Sequence, residues 1–401
     1  MKGGSGLASR RGLLAGATLA IASRCAFGGD GTPEPAPASP DAAEKSLAAL
    51  RASLSRQFDA LLDKPDAFRA AVAKECSIYP EGDLVPLLFP AFAYANTALL
   101  DPASKDPSIT RMRQLIELAI PSVVRKVKPP DGKLERLESY ARHATYLGTL
   151  NLALGAYRRA GGDDRYAELH RVLSDVLGQA LTEASGRPLD SYPGICWSYD
   201  TIPCLLSIRL HDAATSGKRA EPLLQKHLEW LDKSGLDSVL GLPYSRQASA
   251  ADGPPVPPRG CDLSLRICFL AHVAPEQART LYGSYTKAFW RDLGLVAGFA
   301  EWPRGKERPA DADSGPIVMG IGMAATGLGV GAARAMDDKP RLARLAAQLD
   351  NLQALRSLMD QQEQGAPGGF RIPLENRYKT GFLFGDACLF YAVTWTKWID
   401  P

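Results

Sequence analysis

The 401-residue chain is 45% hydrophobic, and its 47 Lys and Arg against 44 Asp and Glu leave a formal net charge of +3. That apolar fraction is enough for a large core. The near balance of charge, with no Lys/Arg run carrying interleaved aromatics, sets aside nucleic acid and a charged membrane surface as partners.

In chain order, the first element is Ser9-Arg10-Arg11-Gly12-Leu13-Leu14 followed by AGATLAIA. This is the pattern of a twin-arginine type signal peptide over residues 1–27, too short to span a bilayer as a stable helix. Cleavage after Ala22 or near Gly28 fits, and a periplasmic or extracellular protein is expected. A lipoprotein through Cys25 is the alternative, but Arg24 suits a lipidation signal poorly. Residues 28–42, GGDGTPEPAPASPDA, read as an extended Pro-rich linker.

From about residue 43 apolar residues recur at helical rather than alternating spacing, and no convincing run of strands appears. The spacing predicts helices over 43–62, 83–100, 107–121, 135–160, 163–184, 198–214, 220–234, 261–272, 275–291, 316–336, 340–360 and 382–399. Odd members, such as DRYAELHRVLSDVLGQALTEA, carry a solvated charged face. Even members, such as LVPLLFPAFAYANTALL and IVMGIGMAATGLGVGAA, are apolar and small on most sides, as buried helices are. Alternating outer and inner helices predict an all-α domain over residues 43–401, an (α/α)6 toroid of six hairpins closed into a ring. An open superhelix has the same local pairing, so closure is left open.

The longer loops precede the inner helices: YPEGD, PLDSYPGICWSYD, LPYSRQASAADGPPVPPRGCD, WPRGKERPADADSGP and GGFRIPLENRYKTGFLFGD. In a toroid they converge on one face around the axis, and long loops in a compact domain are often functional. Asp200 and Asp313, at the starts of two inner helices, are the candidate acid and base, with Tyr199 and His143 as further catalytic candidates. Capping of a helix by Asp200, or by Asp313 or Ser314 with Pro316 in the first turn, is the competing explanation. Trp197, Trp302, Arg259, Asp262, Arg304, Asp311 and Asp386 are candidate substrate-binding residues. The tryptophans and Tyr199 would be stacking platforms, and Arg259 and Arg304 would grip an acidic substituent. Tyr140, His143 and Tyr146 group on one helical face, where a hydrogen-bonded core histidine is the alternative to a catalytic one.

No cofactor or metal is expected. GIGMAATGLGVG does not follow a strand, so its glycines serve close helix packing rather than a dinucleotide. There is no CxxC or His-Cys cluster for zinc, and no GxSxG nucleophile. In an oxidising compartment a bridge between the Cys196/Cys204 and Cys261/Cys268 segments is conceivable, with buried free thiols the alternative. The partner expected is a small molecule or glycan; the oligomeric state is not legible.

The segments CWSYDTIPCLLSIRLHD, RGCDLSLRICFLAHVAPEQARTLYGSYTKAFW, WPRG and DADSGPIVMGIGMAATGLGVGAAR, within residues 185–336, resemble a group of exported bacterial (α/α)6-toroid proteins of unassigned function. Cys196 and Cys204 flanking an inner helix start, with His143, also resemble the linalool dehydratase/isomerase family, which implies Cys/His/Asp chemistry on a small alcohol; the surrounding WSYDTIP departs from that family's pattern. Three readings therefore stand: a glycoside hydrolase or polysaccharide lyase using carboxylates in an axial cleft, the dehydratase/isomerase, and a non-catalytic toroid that binds a glycan or protein.

Overall fold

The computed structural model describes residues 40–248, 253–294, 296–364 and 379–399, with only the backbone at 352–364. The outer helices are α1 (Pro40–Leu62), α4 (Lys105–Val127), α6 (Ala167–Ala184), α8 (Ala220–Trp230), α10 (Pro275–Phe289) and α12 (Lys339–Gln364). The inner helices are α3 (Val85–Leu100), α5 (Ala144–Arg159), α7 (Thr201–Thr215), α9 (Gly260–Val273), α11 (Met323–Ala335) and α13 (Leu383–Thr394). A short helix α2 (Pro65–Glu75) connects α1 to α3.

The inner helices pack in the order α3, α5, α7, α9, α11 and α13, and α13 returns to α3, so the ring closes. Each outer helix packs on the inner helix that precedes it in the ring, α1 doing so on α13, and α12 and α1 meet across the junction of the two chain ends. The fold is the (α/α)6 toroid. None of the helices among the described residues is long and apolar enough to cross a membrane.

Burial follows from side-chain pattern. On α1 the buried residues Leu47, Leu50, Leu54, Phe58 and Leu62 fall three or four apart, one stripe of an amphipathic helix. On α3 nearly every side chain from Val85 to Asn96 is buried, because the helix has neighbours on all sides. Close approach there needs small residues. A Cβ on Gly331 of α11 would stand 2.9 Å from Cys268 Sγ of α9 and 3.1 Å from Ala392 Cα of α13.

Three expected elements differ. The helix predicted over 135–160 starts at Ala144, because Ala141 and Arg142 take positive φ angles of 55° and 57°, which end any helix upstream. The helix predicted over 316–336 starts at Met323. Before it, β3 (Ile317–Val318) and β4 (Ile321–Gly322) form a hairpin whose turn residues Met319 and Gly320 have φ of 52° and 81°, the type I′ signature. Two further short strands, β1 (Trp290–Asp292) and β2 (Ala297–Phe299), pair antiparallel where a continuous helix to 291 was predicted. Strands of two or three residues are too short to leave a period in the sequence.

Candidate active site

The loops before the inner helices deliver their side chains to one cleft. It is lined by Pro80 and Glu81 before α3, Tyr192, Trp197, Tyr199 and Asp200 before α7, Arg259 at the start of α9, and Asp313 before α11. Val85, Phe89, Leu265 and Leu328, from the first two turns of the inner helices, add an apolar part to the lining of the cleft. Its volume is about 140 Å³. A cavity of about 150 Å³ accommodates a benzene ring, so the narrow part admits one ring-sized group.

Helix capping does not explain the two expected carboxylates. Asp200 ends a 3-10 turn at the start of α7 and makes no side-chain capping bond. Instead its Oδ2 accepts a hydrogen bond from Thr145 Oγ1 at 2.7 Å. Asp313 lies ten residues ahead of the first residue of α11, with the β3–β4 hairpin between, so neither its side chain nor that of Ser314 caps the helix; only the Ser314 carbonyl reaches it, accepting the Ala324 N–H at 3.2 Å. Ser314 is spent locally: its N–H donates to Asp311 Oδ1 at 2.8 Å and its hydroxyl receives the Asp311 N–H at 2.9 Å.

Burial dominates the electrostatics. It pushes the Asp200 carboxyl up to about 6, against the hydroxyls of Ser191 and Thr145. Glu81 is pushed up to about 7 by burial, then by the charge of Asp313, while the Tyr192 hydroxyl opposes the rise; Asp200 adds to it. Asp262 and Asp313 are also raised by burial, opposed by Arg266 and Arg259 respectively. Asp311 ends below its ordinary value: burial raises it, but Arg259 and the Ser314 N–H outweigh that. Tyr199 is driven well above its ordinary value by burial and by the Asp200 and Glu81 charges, so its phenol stays a neutral donor.

Arg259 organises the loop before α11. Its Nε donates to Glu301 Oε1 and its Nη2 to Asp311 Oδ1, both at 2.7 Å, while Nη1 lies 3.8 Å from Asp313 Oδ2. Trp302 packs against its guanidinium at 4.8 Å, with Arg308 on the same ring at 5.3 Å. Trp302 is therefore buried behind Arg259 and does not line the cleft, contrary to its expected role as a platform. Arg304 is exposed and off the cleft.

Two more expected residues lie elsewhere. Asp386 is buried and accepts from the backbone N–H groups of Lys379 and Thr380, from Thr380 Oγ1 and from Gln57 Nε2, at 2.7–2.8 Å, which ties the chain before α13 to α1. Most of the GGFRIPLENRYKTGFLFGD loop lies outside the described residues. His143 stands at the N-cap of α5 rather than within a helix, and is not a lining residue. Its ring lies 6.2 Å from that of Tyr146 and 6.4 Å from that of Tyr192, and burial followed by Lys126 lowers its affinity for a proton. Tyr140 precedes the helix, with its hydroxyl on the Asp190 carbonyl, so the expected one-face grouping does not form.

The thiols do not assemble a reactive pair. All six described cysteines are free, so no bridge joins the Cys196/Cys204 and Cys261/Cys268 segments. Cys204 is fully buried, its Sγ 3.2 Å from the Asp200 carbonyl oxygen, and burial drives its thiol well above the ordinary value. Cys196 is buried off the cleft and raised to about 12, chiefly by burial. The Cys196, Cys204 and His143 constellation implied by the linalool dehydratase/isomerase resemblance therefore does not line the cleft.

Glu81, Tyr192 and Cys261 line the cleft but were not expected as site residues. Glu81 was within reach: YPEGD precedes the first inner helix just as the loops of Asp200 and Asp313 precede theirs. Cys261 was not, because what brings it in is the turn of α9 that aims its Sγ at Glu301 Oε1, 3.1 Å away.

No protein-family model matches the chain, and no curated protein matches it. Among solved structures, a mutant unsaturated glucuronyl hydrolase from Streptococcus agalactiae matches 92% of this chain and 99% of its own, at 12% sequence identity and a TM-score of 0.49. The ring assignment stands on the helix order of this chain itself.

Proposed function

We propose that the protein is an exported enzyme that cleaves a glycosidic bond, by hydrolysis or elimination, in the axial cleft. The observation that carries this reading is the meeting of Glu81, Asp200 and Asp313, from three separate loops, in one cleft where burial raises all three toward neutrality. Pairs of carboxyl groups with displaced proton affinities are the usual means of running acid and base chemistry together.

Glu81, which keeps its proton up to about pH 7, is the acid: it gives that proton to the glycosidic oxygen as the bond to carbon breaks. Asp313 is the base. It lies beside Arg259, whose charge opposes the rise that burial causes, and its side chain is 40% exposed, in reach of solvent. In hydrolysis it takes a proton from the water that adds to the anomeric carbon; in elimination it takes the proton from ring carbon and a double bond forms. The Asp200 charge adds to the raised proton affinity of Glu81, after burial and Asp313. Trp197 offers the sugar a stacking face and Tyr199 a neutral donor.

Turnover on a panel of oligosaccharides, read by new reducing ends and by ultraviolet absorbance of an unsaturated product, tests the reading and separates its two branches. Glu81→Gln and Asp313→Asn should each reduce turnover about a hundred- to ten-thousandfold. Binding of a glycan without turnover would leave a recognition toroid instead.

A further inference from the structure

Resting on the carbohydrate reading above, we propose that the cleft holds a subsite for an aromatic aglycone, so that its substrate is an aryl glycoside. The lining divides around the ring. Val85 and Phe89 of α3, Leu265 of α9, Leu328 of α11 and Phe384 of α13 are apolar, and these four inner helices follow one another in the order α9, α11, α13 and α3. The loop before α7 contributes Tyr192, Trp197, Tyr199 and Asp200 instead. Phe89, Leu265 and Leu328 stand four or five residues inside their helices, about 6–7.5 Å along the axis from the helix starts, whereas Glu81, Asp200 and Asp313 precede theirs.

A sugar's hydroxyls would give up water on that arc and gain little. Beyond the first turn of these four helices, the described lining residue able to hydrogen-bond is Cys388, whose thiol burial pushes well up, leaving it a weak neutral donor. A hydroxyl buried without a partner is costly. An anionic group fares no better, because the cation among the described lining residues is Arg259 and its guanidinium is committed to Glu301 and Asp311 under Trp302. The expectation that Arg259 grips an acidic substituent is corrected on this ground. A planar apolar ring meets neither cost, and the cavity volume of about 140 Å³ suits one. Phe89 belongs to an aromatic cluster, its ring centroid 5.6 Å from that of Phe92 and 5.7 Å from that of Tyr391, and Phe384 is stacked on Tyr79 at 4.0 Å. Both rings are held by neighbours, so an aryl group finds preset edges and faces to pack on, the contact that aromatic pairs favour. Trp197 and Tyr199, on the α7 side, remain for the sugar.

Calorimetric titration of the wild-type protein with phenol, cyclohexanol and myo-inositol compares three rings of equal carbon number. Phenol should bind with a Kd on the order of 1 mM, cyclohexanol about threefold to tenfold more weakly, and inositol more than about thirtyfold more weakly. Phenyl glycosides of glucose, galactose, xylose and N-acetylglucosamine, each set against its methyl glycoside, then test the aglycone: for a sugar that binds, the phenyl form should be about thirtyfold tighter. Leu265→Phe and Leu328→Phe, on different helices, each put a ring into the subsite and should cut that gap to about threefold or less; the wild-type series decides even if neither variant folds. Inositol binding as tight as phenol, cyclohexanol tighter than phenol, or equal binding of phenyl and methyl glycosides would overturn this inference while leaving the carbohydrate reading in place. An unchanged gap in a folded variant would overturn it as well. Phenol binding without binding of any glycoside or oligosaccharide would remove the carbohydrate reading, and the aglycone assignment with it.

Discussion

Tyr192 donates its phenolic hydrogen to Oε2 of Glu81 at 2.9 Å, joining the loop before α7 to the loop before α3 across the cleft. The bond favours the charged form of Glu81, whereas burial and the charges of Asp313 and Asp200 favour the protonated form. Glu81 is thus the point where three inner-helix loops meet electrostatically.

Opposite shifts of one pH flank follow from that arrangement. If Glu81 is the acid, activity falls as pH rises through about 7, where Glu81 loses its proton. Tyr192→Phe removes a bond to the anion and should move this flank upward. Asp200→Asn removes a like charge and should move it downward. Profiles of kcat/KM against pH for the two variants check this; shifts of the same sign, or none, would exclude Glu81 as the titrating group.

Asp200 also makes a stability prediction. Its folded value of about 6 exceeds the ordinary 3.8. The folded state therefore holds its proton more tightly than the unfolded chain, and stability falls as pH rises from about 4 to about 6. Asp200→Asn removes that loss, so relative to its effect at pH 3 the change should favour the fold at pH 7 by up to about 3 kcal/mol. Thermal melts at the two pH values measure the difference. A variant that is worse at pH 7 than at pH 3 would mean that the buried carboxylate is stabilising.

The glycines of α11 can be told apart by substitution. A Cβ on Gly329 would lie 2.5 Å from the Phe299 ring and one on Gly331 2.9 Å from Cys268 Sγ, whereas Gly327 has nothing within 4 Å. Gly329→Ala and Gly331→Ala should each destabilise by about 1–3 kcal/mol through overpacking. Gly327→Ala should be neutral or stabilise by up to about 1 kcal/mol, as expected for Ala in a helix. Denaturant unfolding of the three variants decides whether close packing is what those glycines provide.

Export is proposed from Arg10 and Arg11, which lie outside the described residues. Replacing both by Lys should hold folded protein in the cytoplasm, because the twin-arginine route reads the pair and not charge alone. Fractionation of cells expressing each form checks it, and normal export of the double variant would point to the general secretory route.

The alternation of charged and apolar helices and the placing of long loops before the apolar ones were legible in the sequence, because solvent exposure imposes itself on every turn of a helix. From them came the layers, the common face of the loops, and Asp200, Asp313, Tyr199, Trp197, Arg259 and Asp262 as residues of one cleft. Closure of the ring was decided by tertiary packing, since α13 meets α3 only when the small per-hairpin rotations add up to a full turn. So were the roles within the loops: Arg259 and Asp386 look like binding residues in sequence, but one is ion-paired to Glu301 and Asp311 and the other ties its own loop to Gln57. Those partners lie 42, 52 and 329 positions away along the chain, and hydrogen bonds at such separations leave no local pattern to read.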